Sequence, residues 1–570
     1  MRNVVRHTAD FDRIMALPRR VPTQHEAEAW SVAYTPELRL PWSKAVIRPW
    51  QAFSIAEIAD APFGRGAFIG QGVGAGKTWI MFTAPYVLED VQRILYIVPA
   101  SLVDKTEADF EELRKDWKGH KKLYVIKSRE ALARDKCAEY LFEFEPDLIV
   151  IDESDEMSAI ERSTPLKIDK YVWAEGYEHV RVVALTATPS RNSIMGYWHV
   201  MRWCLREGAP VPTTKYEATE LAAALDEKVR DPQSRPLPGP WGRTRAEALE
   251  TYRRRILETP GVIIVDGDSC KAPLTVRARL AKEDSILDEH FSVFRQRRHN
   301  PDGITITDPL SRWRMEGQLG CGLYSRYTVP PPEEWVEARR EYAKFVREAI
   351  AHSQRSKKPL YTELMVRKRF KDHEIIQRWR EIGPTFDAKK YTETVWLSSS
   401  ALESVLDWLE ESPEPGIVWC GSVEFAQALS RAATLRYYAG KGKSKDKTWL
   451  YDAPVENIIV SWNANKKGFN LQPWTRQLIV MPPQSAKWIE QIIGRSHRSG
   501  QEKHVFIDIL MTSGGTFDLM ASALGEAAFA QSTISLTQKM LRVTVQYATP
   551  TITPSNEFRW ASRKDNEDDE

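Results

Sequence analysis

The sequence predicts an α/β protein with two parallel-sheet lobes and a mainly helical insertion between them in the chain. Short apolar runs alternate with helix-compatible segments in residues 41–197 and again in residues 395–545. Continuous apolar strands that are separated by helices are typical of a parallel sheet covered on both faces. In residues 198–394 this alternation fades, and Pro- and Gly-rich pieces interrupt apolar residues at helical spacing, which indicates helices and loops.

The composition is that of an ordinary globular protein of several domains. The 570 residues are 42% hydrophobic and 28% charged, and the net charge is only +2. This balance excludes a strong positive field over the whole protein, although a local basic surface is compatible with it. The five cysteines form no C-x-x-C pair, so we expect reduced thiols and no zinc knuckle.

The two ends of the chain are predicted to lie outside the lobes. Residues 1–40 form a mixed N-terminal extension, in which prolines such as Pro18 and Pro36 are expected to break any long helix. Residues 546–570 form an acidic tail that we expect to be disordered. The sequence begins without an apolar signal-like region, and no apolar run is long enough to span a bilayer. We therefore expect a cytoplasmic protein without a membrane role.

A glycine-rich loop follows the first apolar run of residues 41–197. The loop consists of Gly70, Gln71, Gly72, Val73, Gly74, Ala75, Gly76, Lys77 and Thr78. A strand, a glycine loop and a helix form the layout of a phosphate-binding loop, because glycines let several backbone N–H groups point at one anion. Lys77 would reach the outer phosphates, and Thr78 would ligate Mg²⁺. Gln71 stands where the general pattern has its first glycine, and a glycine-rich turn before an ordinary helix is the alternative interpretation.

Polar side chains follow two later strands of the same predicted sheet. Asp152 and Glu153 come directly after one apolar run, and Thr186 and Thr188 come directly after the next. In parallel sheets, ligands bind beyond the carboxyl ends of the strands. Asp152 could hold Mg²⁺ through water, and Glu153 could orient or deprotonate an attacking water. Either group alone could be a solvated turn, but their joint order favours a nucleotide-hydrolysing site.

Residues 395–545 repeat the α/β pattern without a second Gly-Lys-Thr loop, so this lobe is not expected to bind ATP by itself. Arg495 and Arg498 are three residues apart and would share one face of a helical turn. Two guanidinium groups on one face suit an arginine finger for a γ-phosphate, since this planar, permanently charged group matches phosphate oxygens. A basic surface helix is the alternative interpretation of the segment.

Together these motifs resemble superfamily 2 helicases and translocases, which are P-loop ATPases of the DEAD/DEAH-like type with two RecA-like lobes. The D-E-S-D sequence at 152–155 resembles the D-E-x-D/H box, and the T-A-T sequence at 186–188 resembles the motif that couples ATP to nucleic acid. The resemblance implies that Gln51 reads adenine through its amide, although a surface glutamine would be favoured without it. The loop of this superfamily tolerates a residue other than glycine at the position of Gln71. The resemblance also implies that Ser128 contacts a nucleic-acid strand. The implied cofactors are ATP and Mg²⁺.

The segment 491–501 resembles the final motif of the SNF2-like branch of that superfamily, Q-x-x-G-R-x-H-R-x-G-Q. Upstream, Gly468 and Asn470 resemble the G-x-N-L motif of the same branch, which lies near both the DNA backbone and ATP. The resemblance implies nucleotide contact for Gly468 and nucleic-acid contact for Asn470 and Gln491. It covers both α/β parts of the chain but not the termini, and the insertion is only loosely similar.

Basic and aromatic residues interleave in the predicted insertion, at 252–255, 294–299, 312–314, 324–327 and 367–371. Such clusters could neutralise phosphates, so we predict that the insertion faces DNA, with solvated helix faces as the alternative. The sequence thus predicts an ATP-dependent DNA translocase or helicase that acts on duplex DNA in replication, recombination or repair, in a bacterium or phage. An RNA helicase of the same superfamily and a non-catalytic nucleic-acid-binding scaffold are the alternatives.

Overall fold

The computed structural model describes residues 3–60, 66–134, 139–189, 192–226, 234–265, 270–306, 309–353, 360, 363–388, 390–465 and 469–545. The chain divides into two compact units. The first unit comprises Met1–Ser269, Pro330–Ala388 and Ala528–Thr537. The second unit comprises Cys270–Val329, Lys389–Ala527 and Gln538–Glu570.

In chain order, the strands are β1 Gly66–Gln71, β2 Arg93–Val98, β3 Leu123–Ser128, β4 Leu148–Ile151, β5 Arg181–Thr186, β6 Val262–Val265, β7 Leu274–Leu280, β8 Leu323–Tyr327, β9 Thr392–Trp396, β10 Gly416–Cys420, β11 Arg436–Tyr438, β12 Ile458–Ser461, β13 Arg476–Ile479, β14 Val505–Met511 and β15 Val543–Val545.

The α-helices are α1 Ala9–Ala16, α2 Gln24–Leu38, α3 Pro49–Ala59, α4 Lys77–Val87, α5 Val103–Leu113, α6 Arg129–Leu132, α7 Tyr140–Phe144, α8 Ser163–Val172, α9 Met195–Leu205, α10 Lys215–Leu225, α11 Arg245–Leu257, α12 Ser285–Arg297, α13 Pro309–Gly320, α14 Glu333–Ser353, α15 Glu363–Arg369, α16 Glu374–Ile382, α17 Ser400–Glu410, α18 Val423–Ala432, α19 Trp462–Asn465, α20 Ala486–Ser496 and α21 Gly514–Ile534.

The first unit contains a parallel sheet with the strand order β3-β2-β4-β5-β1-β6. Alternate side chains of its strands enter two different cores, as β2 illustrates. Leu95 and Ile97 belong to the core that contains α9, whereas Tyr96 and Val98 belong to the core that contains α3 and α4. Because both faces are buried, the strands need no polar face, which explains why they read as continuous apolar runs.

The second unit contains a parallel sheet with the strand order β11-β12-β10-β13-β14-β7-β15. Its central strands also divide their side chains between two cores. In β10, Ile417 and Trp419 pack in the core that contains α20, and Val418 and Cys420 pack in the core that contains α17 and α18. This unit is therefore a second α/β lobe with both sheet faces covered.

The predicted fold class is confirmed, since the protein has two α/β lobes that are each built on a parallel sheet. The apolar runs of the sequence coincide with β1 to β5, β10 and β12 to β14. Two strands of the parallel sheets lie within residues 198–394, where we expected helices and loops. Strand β6 pairs with β1 in the first sheet, and β7 pairs with β14 in the second. Strand β6 is an apolar run of four residues, as β4 is, and the sequence analysis missed it. Strand β7 carries alternate arginines, so it does not stand out as a strand in the sequence.

Helices occupy much of the remainder of residues 198–394. Helices α14, α15 and α16 pack around a small core of their own, which includes Tyr342, Val366 and Ile376. Strands β8 and β9 form an antiparallel pair in the second unit. Residues 546–570, the predicted acidic tail, lie outside the described residues.

The N-terminal residues fold onto the first unit. Arg13 in α1 donates from its guanidinium group to the carbonyl oxygens of Ala209 and Val211, at 3.0 and 2.9 Å. Helix α2 is 15 residues long and contains Pro36 in its last turn, so the expectation that this proline prevents a long helix was wrong. The helix ends two residues after Pro36, so the proline lies close to the C-terminal end of the helix and does not prevent the preceding turns from forming.

A search of the helices in the described ranges finds none with the length and apolar character needed to cross a membrane.

Asp508 in β14 organises a buried polar network in the second unit. Its side chain accepts hydrogen bonds from Arg277 Nε at 2.7 Å, from Arg277 Nη2 at 3.0 Å and from Trp408 Nε1 at 2.9 Å. Arg277 lies directly opposite Asp508 in the β7–β14 pairing. Both carboxylate oxygens are therefore paired, which compensates the burial of their charge.

We expect Asp508→Ala to lower the free energy of unfolding of the second unit by about 3 kcal/mol, because Arg277 and the Trp408 indole lose their common acceptor. Chemical denaturation followed by tryptophan fluorescence measures the change. Asp446→Ala is the matched control, since this exposed carboxylate pairs with Arg436 at 3.4 Å and its loss should matter much less. Equal losses for the two variants would contradict a stabilising role of the buried network.

Candidate nucleotide-binding site

The predicted phosphate loop connects β1, which ends at Gln71, with α4, which begins at Lys77. Gly74 and Gly76 adopt the left-handed backbone conformation, with φ values of 85° and 88°. Gly76 directly precedes α4, and a Cβ atom there would lie 2.2 Å from Nε2 of Gln51. The left-handed backbone therefore favours glycine at this position, and a Cβ atom there would displace the Gln51 amide.

Two side chains of the α3 region hold the loop from one side. Arg48 Nη1 donates a hydrogen bond to the carbonyl oxygen of Gly74 at 3.0 Å. Gln51 Nε2 donates to the carbonyl oxygen of Gly76 at 3.1 Å, and Gln51 Oε1 accepts from the backbone N–H of Arg48 at 3.1 Å. The sequence singled out Gln51 but not Arg48, whose partner is a backbone carbonyl that no sequence pattern identifies.

Gln71, which replaces the first glycine of the general pattern, is buried and bonds to the same helix. Its Nε2 donates to the hydroxyl of Ser54 at 3.0 Å. Gln71 is the last residue of β1 and lies in extended backbone, so its position does not require glycine. The sequence analysis missed Ser54, although it follows Gln51 by three residues and thus lies on the same face of α3.

The side chain of Lys77 lies across the loop. Its Nζ donates to the carbonyl oxygens of Gln71 and Gly72, at 2.9 and 3.2 Å. Thr78 follows it in the first turn of α4 and is partly exposed. Because the N-terminus of a helix favours anions, a lysine and a hydroxyl at this point suit a phosphate group.

The predicted carboxylates follow β4 in a sharp turn. The backbone N–H of Asp152 donates to the carbonyl oxygen of Ile97 at 2.9 Å, and Oδ1 of Asp152 accepts from the N–H of Glu153 at 3.0 Å. Glu153 has a φ of 51°, in the left-handed region that is uncommon for residues other than glycine. Both side chains are partly exposed. Backbone strain of this kind is concentrated at functional sites, where the surrounding structure maintains it.

A buried hydrogen bond joins the D-E-S-D turn to the end of β5. The hydroxyl of Thr186 donates to Oδ1 of Asp155 at 3.1 Å and accepts from the backbone N–H of Thr188 at 3.0 Å. Thr186 and Thr188 are both 0% exposed. A direct contact of either threonine with a ligand would therefore require its neighbours to move.

Ser128, which was predicted to contact a nucleic-acid strand, caps helix α6. Its hydroxyl accepts a hydrogen bond from the backbone N–H of Ala131 at 3.0 Å. The next residue, Arg129, donates from Nη1 to the carbonyl oxygen of Glu156 at 3.1 Å. This arginine connects the end of β3 with the turn that follows β4.

The sheet order brings the predicted site residues of the first unit to one edge. Strands β4, β5 and β1 are neighbours and run parallel. Their carboxyl ends therefore lie side by side, and the phosphate loop, the pair Asp152 and Glu153, and Thr186 all stand at these ends.

These residues fit a nucleoside triphosphate with Mg²⁺. The loop turns at Gly74 and Gly76, which both have left-handed backbone, and leads into the N-terminus of α4, whose backbone N–H groups favour an anion. Mg²⁺ usually takes one or two carboxylates together with phosphate oxygens and water. Asp152 and the hydroxyl of Thr78 are the groups that would hold it here.

Helix α20 of the second unit ends before His497, so Arg498 lies beyond the helix. The expectation that Arg495 and Arg498 share one helical face was wrong. Contacts distant in sequence explain the end of the helix. The His497 ring bonds to the carbonyl oxygen of Ala272 at 2.8 Å, and Lys539 Nζ donates to the carbonyl oxygen of His497 at 2.6 Å.

Arg495 is 7% exposed and bonds to backbone carbonyls of its own unit. Its Nε donates to the carbonyl oxygen of Gln491 at 2.9 Å, and Nη1 donates to that of Phe469 at 3.1 Å. Arg498 is partly exposed. The two arginines predicted to act together therefore have different surroundings, and Arg495 supports the segment that begins at Phe469.

The two segments that the sequence analysis compared with the SNF2-like branch are joined by several hydrogen bonds. The N–H of Leu471 donates to the carbonyl oxygen of Arg495 at 3.0 Å, and the Ser496 hydroxyl donates to that of Leu471 at 2.7 Å. Gln501 Nε2 donates to the carbonyl oxygen of Gln472 at 2.8 Å. These hydrogen bonds hold segments 469–472 and 495–501 against each other.

The remaining predicted contacts of the second unit differ in accessibility. Asn470 is exposed, whereas Gln491 is 0% exposed inside α20. A contact of Gln491 with nucleic acid would therefore require movement of the residues around it. Gly468 lies outside the described residues.

Residues 44–191 match the family described as type III restriction enzyme, res subunit. This is a helicase-family domain of superfamily 2, and it indicates a helicase-like ATPase. The match includes Gln51, the phosphate loop, Asp152, Glu153 and the T-A-T sequence, and residues 192–570 lie outside it. No curated protein matches the chain.

We expect Gly76→Ala to weaken ATP binding at least about tenfold, because the left-handed backbone costs roughly 1–2 kcal/mol with a Cβ atom, which also collides with the Gln51 amide. Isothermal titration calorimetry with ATP and Mg²⁺ measures the affinity. Gly525→Ala is the control, since a Cβ atom at that site in α21 meets nothing within 4 Å. Unchanged affinity in Gly76→Ala would contradict the role assigned to this loop.

Proposed function

We propose that the protein is an ATP-dependent DNA translocase or helicase of the SNF2-like branch of superfamily 2, acting on duplex DNA. The observation that carries the proposal is the arrangement at the edge of the first sheet. There the phosphate loop, the two carboxylates and the buried Asp155–Thr186 hydrogen bond stand at the ends of neighbouring parallel strands. The match of residues 44–191 to a helicase-family domain supports the ATPase part of the proposal.

The residues of the first unit have separate roles in this proposal. The loop and Lys77 bind the phosphates, while Thr78 and Asp152 hold Mg²⁺, which neutralises phosphate charge when it is bound. Glu153 orients the attacking water, and its strained backbone fixes the direction of its carboxylate. Arg498 of the second unit is assigned to the charge that develops at the γ-phosphate, and Arg495 supports the segment that begins at Phe469.

Coupling to nucleic acid is assigned to the Asp155–Thr186 hydrogen bond. Asp155 belongs to the turn that contains the catalytic carboxylates, and Thr186 ends the neighbouring strand. A change at the nucleotide therefore reaches the end of β5 through one buried contact of 3.1 Å. The DNA assignment and the SNF2-like assignment rest on the motif at 491–501 and on its interlock with segment 469–472.

The function is tested by measuring ATP hydrolysis with duplex DNA, forked DNA, single-stranded DNA and RNA. We expect duplex DNA to stimulate hydrolysis the most, because SNF2-like motors typically track duplex DNA. Lys77→Ala should abolish turnover on every substrate, which controls for contaminating ATPases. Equal stimulation by RNA would overturn the DNA assignment, and undiminished turnover by Lys77→Ala would overturn the catalytic assignment.

We expect Thr186→Val to reduce the stimulation of hydrolysis by DNA by about tenfold while basal hydrolysis changes much less, since the side chain keeps its shape but loses one hydrogen bond. The ratio of stimulated to basal rates measures this effect. Thr275→Val is the control, because that hydroxyl bonds to His504 at 2.9 Å in an exposed part of β7. A proportional loss of both rates in Thr186→Val would contradict a role in coupling.

A further inference from the structure

We infer that His199 in α9 is a positioning residue for ATP hydrolysis: by bonding to the carbonyl oxygen of Met157, it keeps the turn that carries Glu153 in its strained conformation. The inference rests on the proposed function, in which Glu153 orients the attacking water. It gives α9 a part in the reaction that no sequence motif indicated. His199 also lies outside residues 44–191, which match the helicase-family domain.

The turn that carries Glu153 has an unfavourable backbone conformation. Glu153 has a φ of 51° and directly precedes a single 3₁₀ turn, Ser154–Met157. Within this turn the backbone N–H of Glu156 donates to the carbonyl oxygen of Glu153 at 2.9 Å. A left-handed residue other than glycine is unfavourable by itself, so it persists only where its surroundings enforce it. Contacts with the 3₁₀ turn therefore influence the direction of the Glu153 side chain.

Three consecutive residues of the 3₁₀ turn each bond to a side chain from a different element. Asp155 accepts a hydrogen bond from a threonine that ends β5, and Glu156 accepts one from an arginine that follows β3. The carbonyl oxygen of Met157 bonds to Nε2 of His199 at 2.7 Å. Helix α9 thus supplies the last of three contacts that hold the turn.

The His199 ring is the donor in this bond. Burial lowers the pKa of His199, and only 1% of the residue is exposed, so the ring is neutral near pH 7 and carries one N–H. A carbonyl oxygen can only accept, so this N–H is on Nε2, which faces Met157. Among the residues that the structure describes, Nδ1 of the ring has no hydrogen-bond partner. The single N–H of the ring therefore serves the turn.

Helix α9 gives this histidine a fixed position. His199 lies in the middle of the helix, and its neighbours Trp198 and Val200 belong to the buried core on one face of the first sheet. Its ring meets the ring of Trp203 edge to face, with the centroids 5.0 Å apart. Rotation of the ring away from the turn would leave a buried N–H without a partner, which is unfavourable. The bond therefore ties the turn to a packed helix of the same unit.

A histidine that only filled the core would affect stability alone. His199 differs because its acceptor, Met157, lies four residues after Glu153 at the end of the same 3₁₀ turn. Without this donor the turn is free to relax toward ordinary backbone. Misplacement of a catalytic group by about 1 Å can lower a rate about a hundredfold. The loss should therefore appear in kcat, while the phosphate loop, which other side chains hold, keeps its affinity for ATP.

The test compares His199→Phe, which keeps an aromatic ring but has no donor, with His199→Gln, whose amide nitrogen can donate in place of Nε2. kcat, KM and the Kd of ATP are measured with the full-length protein and the nucleic acid that stimulates it most. We expect His199→Phe to lower kcat at least about tenfold and to change the Kd of ATP by less than about twofold. His199→Gln should recover most of kcat.

His120→Phe is the matched control, since this buried histidine of the same unit bonds to the Tyr96 hydroxyl at 3.2 Å, in the other core. It should lower stability but change kcat by less than about twofold. Hydrogen exchange of residues 152–158, measured by mass spectrometry without ligands, reports on the turn itself. Exchange there should accelerate in His199→Phe and not in His120→Phe.

Any of four results would overturn the inference: unchanged exchange of the turn in His199→Phe, a loss of ATP affinity as large as its loss of kcat, an equal loss of kcat in His120→Phe, or a kcat of His199→Gln as low as that of His199→Phe. If His199→Phe does not fold, His199→Asn, whose shorter amide does not reach Met157, takes its place. An unaltered protein that binds ATP but hydrolyses none with any nucleic acid would overturn the proposed function. The exchange data would then still decide whether His199 holds the turn.

Discussion

The parallel direction of neighbouring strands is the constraint on which the arrangement of the six-stranded and the seven-stranded sheet depends. Parallel strands end at one edge, so residues that follow different strands become neighbours without any contact in sequence. In the first unit this places the phosphate loop after β1, the carboxylates after β4 and Thr186 at the end of β5. The crossover helices that parallel strands require also cover both faces, which leaves the strands free to be apolar throughout.

Polar side chains bond to backbone carbonyl oxygens of the loops in both units. Arg48 and Gln51 donate to the carbonyl oxygens of Gly74 and Gly76 in the first unit, and Arg495 donates to that of Phe469 in the second. The contact with Phe469 is buried, where an unpaired carbonyl would cost roughly 1–3 kcal/mol. Polar residues of the types that catalyse reactions or bind ligands therefore also stabilise the backbone of the loops that form the candidate site.

The sequence predicted those features that depend on local pattern. Apolar runs located the central strands, and the glycine spacing located the turn at Gly76, whose left-handed backbone needs glycine. Features that depend on distant partners were not predictable. Strand β7 is recognisable only beside β14, where Arg277 finds Asp508, and α20 ends because Ala272 and Lys539 engage His497. The grouping of Arg495 with Arg498 failed for this reason, since their spacing fits a helix that tertiary contacts terminate.

A residue type at a motif position consequently does not determine whether the residue touches the ligand or supports the loop that does. Arg495 has the charge and shape to bind phosphate. Its guanidinium group is nevertheless buried and bonds to two backbone carbonyl oxygens. Removing such a residue lowers activity as surely as removing a contact residue, because the loop loses its conformation. The two cases can be distinguished by the ratios of the affinities or rates that are measured with different ligands. Loss of a contact changes the discrimination between ligands or the response to an effector, whereas loss of a support lowers binding of every ligand in proportion.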